Sequence, residues 1–115
     1  MGKKKTAKRV TLPQMQAFPS RNLAGLSVSL STLAAPDLEL IKPIPVSIQF
    51  NGDDFIASFF DSNSHATGDT DQEAFSNLRD IIAAQFRFLS GVREDKLGPA
   101  PTRQIAVLRE FIRKI

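Results

Sequence analysis

The run Gly68-Asp69-Thr70-Asp71-Gln72-Glu73-Ala74-Phe75 restricts the fold more than any other stretch of this chain. Thr70 and Glu73 stand in capping-box spacing. The threonine hydroxyl is expected to accept the Glu73 N–H, and the Glu73 carboxylate to reach back to the Thr70 N–H. Asp71 and Glu73 also place negative charge in the first turn, where the helix dipole favours it. Beyond this start, Phe75, Leu78, Ile81, Ile82, Gln85, Phe86 and Leu89 recur at three- and four-residue spacing, with Arg79, Asp80 and Arg87 off that line. This period predicts an amphipathic helix over 71–89, closed by Ser90-Gly91 with the glycine as a left-handed cap. A helix with so long an apolar side needs a surface to cover it.

Alternating segments upstream supply that surface. Leu26-Ser27-Val28-Ser29-Leu30-Ser31 alternates apolar and hydroxyl residues, as a strand with one buried face does. Pro36, Pro43 and Pro45 bracket a loop, and because proline cannot donate to a ladder, pairing is expected to resume near Val46. Ile44, Val46, Ile48 and Phe50 then share one side. Asn51-Gly52-Asp53-Asp54 is a turn signal, with Phe55-Ile56-Ala57-Ser58-Phe59-Phe60 as the returning arm of a hairpin. In that arm Phe55, Ala57 and Phe59 are expected to meet the helix. Ile56 and Phe60 fall on the other face, covered by the neighbourhood of the 26–30 strand or by another subunit. His65-Ala66-Thr67 reads as a short third pairing segment. After the long helix, Gly98-Pro99-Ala100-Pro101 reads as a stiff non-helical connection, and Thr102 as the cap of a last helix over about 103–114. Its stripe is Ile105, Leu108, Ile112 and Ile115, with Arg109, Arg113 and Lys114 standing off it. The expected fold is α+β: a small antiparallel sheet of three to four strands, packed by one long helix and one short C-terminal helix.

At 115 residues the chain has the length of one ordinary domain, read here as 24–115 behind a basic tail and linker over 1–23. The formal net charge of +3 is concentrated in that tail. Lys3, Lys4, Lys5, Lys8 and Arg9 leave ten basic against twelve acidic residues elsewhere. Such a run buries no apolar surface and is expected to be disordered and solubilising. The absence of cysteine rules out disulfides, thiolate ligands and cysteine nucleophiles, which suits a cytoplasmic setting. No apolar run is long enough to cross a membrane, and no apolar segment of a secretory signal comes after the lysines.

No residue pattern points to catalysis, a metal or a cofactor. His65, alone of its kind, reads as a surface residue beside Asn63 and Thr67. Asp53, Asp54, Asp61 and Asp69 each sit at a turn or helix start, where aspartate is favoured without a metal. Thr70 and Glu73 are structural, holding the helix start.

The order of hairpin, short strand, Gly-Asp-Thr cap and long helix resembles the HicB-type antitoxin domain. The likeness runs from Ile44 through Leu89. Its residues are Phe55-Ile56-Ala57-Ser58-Phe59-Phe60-Asp61 and then Ala66-Thr67-Gly68-Asp69-Thr70-Asp71-Gln72-Glu73-Ala74. The resemblance implies a nuclease-like α/β fold that has lost its metal-binding carboxylates and binds rather than cleaves. Members commonly pair with a small HicA-type ribonuclease toxin and self-associate. Many also carry a C-terminal DNA-binding module, for which the 14 residues after Pro101 are too few, so operator DNA is not expected as a partner. On this reading a partner meets Ile56, Phe60 and the sheet edge at Leu26, Val28 and Leu30. The alternative is a small nucleic-acid-binding protein that contacts phosphates through Lys3, Lys4, Lys5, Lys8, Arg9, Arg109, Arg113 and Lys114. The bland counterpart for Arg109, Arg113 and Lys114 is the wet side of the last helix.

Overall fold

The computed structural model describes residues 26–115; the basic tail and linker expected over 1–23, and the start of the expected domain at 24–25, lie outside the described residues. The alternating segments form strands β1 (Leu26–Leu30), β3 (Ile44–Phe50), β4 (Phe55–Phe59) and β5 (Ser64–Gly68), after which the chain enters helix α1 (Asp71–Ser90). They make one antiparallel sheet in the order β1-β3-β4-β5. Between β1 and β3 lies a three-residue strand, β2 (Leu38–Leu40). It pairs with β6 (Ile112–Lys114), which comes directly after helix α2 (Pro99–Phe111). The expected α+β class and the four-stranded sheet under a long and a shorter helix are present; the separate β2–β6 ribbon is an addition.

Alternation fixes which face of the sheet meets α1. Ile44, Val46 and Ile48 of β3, Ala57 and Phe59 of β4 and Ala66 of β5 are buried. They meet Ala74, Leu78, Ile82, Ala83, Phe86 and Leu89 of α1, forming one continuous core. Leu78 and Ile82 are fully buried, and each such side chain stabilises the fold by about 2 kcal/mol. Phe75 is only half-buried at the flank of this face, while the alanines at 74 and 83 are buried within it. Phe59 also meets the Phe111 ring edge-on at 5.1 Å, which ties the sheet to α2.

Several expectations are corrected. Pairing begins at Ile44 rather than near Val46: Pro45 stands opposite Ser29 at a point that β4 does not reach, since β4 pairs with β3 only from Ser47. Phe60 leaves the strand and opens a 3-10 turn, Phe60–Ser62. The segment after it is five residues long rather than three. Gly91 has φ −90° and is not left-handed; its N–H bonds back into the last turn of α1.

The last helix departs furthest from expectation. It starts at Pro99 with Gly98 as N-cap and ends at Phe111. The first four N–H groups of a helix have no partner within it, so Pro99 and Pro101 sacrifice no hydrogen bond there. Thr102 lies inside the helix, where its hydroxyl donates to the Gly98 carbonyl at 2.8 Å. Arg113 and Lys114 are therefore on β6, not on a helix. Ile112 is buried in the core opposite Leu40, while Ile115 is exposed and leaves the expected stripe. Ion pairs from Arg113 to Glu39 and from Arg87 to Asp37, both at 2.6 Å, fasten the ribbon to itself and to α1.

Candidate functional site: the uncovered face and free edge of the sheet

The junction of β5 and α1 explains why one side of the sheet is closed. Thr70 is extended, and its Oγ accepts the Glu73 N–H at 3.0 Å, the first half of the expected box. The second half is displaced by one residue: the Glu73 carboxylate takes the N–H of Asp69, not of Thr70. Asp71 accepts the next N–H, from Gln72. Thr70 and Glu73 thus act in the helix start, as expected. Gly68 is required here because a Cβ would stand 2.4 Å from the Ala74 nitrogen and within 3 Å of Glu73. The Asn77 side chain then donates to the Thr67 carbonyl at 2.8 Å, so the helix bonds directly to the last strand.

A buried polar chain closes the end of the sheet beneath both helices. Ser64, 1% exposed, donates to Gln85 Oε1 at 2.7 Å, which leaves the Ser62 hydroxyl to donate to Ser64. Gln104 of α2 donates to the Ser62 carbonyl at 2.8 Å. Every named group in this chain has a partner, as burial requires. Gln85 interrupts the apolar stripe of α1, and that was its only trace in the sequence; its serine partners could not be read from spacing.

The face of the sheet opposite α1 carries no helix among the described residues. Strand register lines up Ser27, Ser47, Ser58 and His65 across it, with Gln49, Ile56 and Thr67 forming the next row. His65 Nδ1 meets Ser58 Oγ at 2.8 Å and Nε2 meets Asn63 Oδ1 at 3.0 Å. An acceptor at Nε2 requires the proton there, so the neutral ring takes the Ser58 proton at Nδ1. A hydroxyl bonded to imidazole is one element of nucleophilic catalysis. Here Ser58 is buried under the ring, and the trio works as a cross-strand clasp. The Phe60 ring, 65% exposed, stands edge-on to His65 at 5.9 Å. Beside it Ser27, Ser29, Pro45, Ser47, Phe60 and Asp61 line a shallow depression of about 470 Å³. Val28, Val46 and Phe59 also border it, so apolar and hydroxyl groups alternate around the depression.

The proposed contact residues therefore divide. Ile56 and Phe60 lie toward the uncovered face, Ile56 half-buried and Phe60 projecting. Leu26, Val28 and Leu30 are on the other side of β1: Leu30 is part of the core, Val28 is half-buried and Leu26 is 56% exposed. Leu26 and Val28, with Ile48, Gln72 and Phe75, line a groove of about 380 Å³ between β1 and the start of α1.

The basic residues of the alternative reading do not gather. Arg109 faces Glu94 at 3.6 Å and Arg113 is held by Glu39, while Lys114 is exposed on β6. Lys3, Lys4, Lys5, Lys8 and Arg9 lie outside the described residues. Among the described residues, no three of His, Asp and Glu come together in a way that could hold a metal ion, and no helix is long and apolar enough to cross a membrane. Compared with family models, with curated proteins and with solved structures, the chain matches none.

Proposed function

We propose that this chain is a non-catalytic protein-binding module of the HicB antitoxin type, which occludes a small HicA-type ribonuclease through the uncovered face of its sheet. One observation carries the reading. That face sets two large apolar side chains, half-buried Ile56 and projecting Phe60, among rows of serine, Gln49, His65 and Thr67, and no helix among the described residues covers them. The order of β3, β4, β5, Gly-Asp-Thr start and α1, the order on which the family likeness rests, adds support. Binding would set Phe60 into a pocket of the partner as an aromatic anchor, with the serine rows allowing close approach.

Among the described residues Arg109 and Arg113 pair with carboxylates, so the nucleic-acid reading draws nothing from them. The test is capture of a partner by the purified chain, joined to inspection of the adjacent gene. A small basic ribonuclease should be retained and inhibited, and Phe60→Asp should release it while the circular dichroism spectrum stays unchanged. Absence of any such ribonuclease as neighbour or binder removes the antitoxin function, and turnover of RNA by the chain itself would refute a non-catalytic role.

A further inference from the structure

The edge of β1 lacks the devices by which sheets avoid pairing with other chains. Its five residues, Leu26-Ser27-Val28-Ser29-Leu30, include no charge and no proline, and they pair with β3 in unbroken register without a bulge. The sequence of the strand is also the same read in either direction. An antiparallel partner strand of identical sequence, centred on Val28, would set Leu26 opposite Leu30, Ser27 opposite Ser29 and Val28 opposite Val28. Every apolar side chain then lies on the helix side and every hydroxyl on the uncovered side. A slip of one residue would place leucines among the serines, and a slip of two would lose an apolar pair.

We infer that β1 is a homodimer interface: it pairs with β1 of a second copy about a two-fold axis through Val28, joining the two four-stranded sheets into one. The two-fold operation leaves both α1 helices on the same face. The groove floored by Leu26, Val28 and Ile48 and walled by Phe75 is then closed by the partner's Val28, with the partner's Leu30 set against Leu26. Charge permits this arrangement. Among the described residues Asp71 is the only ionisable one lining the groove, and it lies at the Leu26 end. Because Leu26 of each copy faces the other's Leu30, the two Asp71 carboxylates are held at opposite ends of the interface. The uncovered face with Phe60 takes no part, so the dimer stands or falls independently of the function proposed above.

The position on the axis supplies the test, since a residue at 28 meets its own copy. In sedimentation of the full chain across a concentration series, the wild-type protein should move from monomer to dimer. Val28→Lys and Val28→Glu should each weaken the dimer about 100-fold through like charges set directly opposite, and their equimolar mixture should dimerise again. A covalent check does not depend on those variants folding. The chain has no cysteine, so Val28→Cys should give a disulfide-linked dimer on mild oxidation. Ser27→Cys alone should not, because its Cα would lie more than about 7 Å from its own copy, whereas Ser27→Cys mixed with Ser29→Cys should. A wild-type chain that stays monomeric at every concentration, its edge covered by its own preceding residues or by nothing, would overturn the proposal. So would a Val28→Lys dimer of undiminished strength, or Ser27→Cys cross-linking to itself as readily as Val28→Cys.

Discussion

The two edges of the four-stranded sheet are built from similar short strands and are tied to the rest of the molecule to different degrees. At β5 the chain runs at once into α1; Gly68 lets helix and strand approach, Asn77 takes the Thr67 carbonyl, and His65 ties the strand to Ser58 of β4. At β1 nothing among the described residues performs these tasks: the strand is uncharged and Leu26 is largely exposed. How firmly an edge strand is tied in thus depends less on its own composition than on the element that comes next in the chain. With only Asp69 and Thr70 between β5 and α1, the helix packs against the strand it has just left. β1, which leads into a loop and a distant ribbon, gains no such cover.

Substitutions can break this asymmetry from the β5 side. The largest effect is expected at Gly68, where Gly68→Ala drives a Cβ into the backbone of Ala74 and Glu73. Urea unfolding should show a loss of roughly 3 kcal/mol, at the upper end of what overpacking costs. Next comes Ser64→Ala, which leaves Ser62 and Gln85 without their shared partner inside the fold and should cost about 2 kcal/mol by the same measurement. Thr70→Ala removes one cap bond and should cost about 1 kcal/mol, with the loss confined in hydrogen exchange to the first turns of α1. On the open side, Ser29→Thr should change stability by no more than about 0.5 kcal/mol, because the residue is exposed on an edge strand.

The smallest effect concerns acid. The Asp37 carboxyl is held below the usual carboxylate range, chiefly by its hydrogen bonds from the Arg87 guanidinium. A pKa lowered on folding gives stability that is complete above the unfolded value near 4 and is lost as pH falls through the lower folded value. Both groups are exposed, so the contribution is slight. Carboxyl NMR titration should find Asp37 protonating later than a free aspartate as pH falls, and Arg87→Ala should remove most of the difference.

The same contrast separates what the sequence disclosed from what it hid. The α1 helix was legible because its signals are local: a cap at Thr70, acidic residues in the first turn, and an apolar repeat down to Leu89. The hairpin was legible because Asn51 and Gly52 announce it, and in the structure Asn51 Oδ1 accepts the N–H groups of both Asp53 and Asp54. The β2–β6 ribbon left no comparable trace, since Leu38-Glu39-Leu40 is too short to show a period and its partner lies at the far end of the chain. Pro99 and Pro101 hid the start of α2, because a proline excludes a helix interior but not a first turn. Of the candidate surface, Phe60 could be singled out, but Leu30 could not be assigned to the core before its cover was known.

Amide hydrogen exchange read residue by residue, at low and high concentration of the full chain, tests the account most directly. If β1 is closed by a second copy and β5 takes no part in that contact, β5 exchange is the same at every concentration. The outward amides of β1 exchange fast when dilute and become protected as concentration rises. Equal protection of the two edges at every concentration would contradict it.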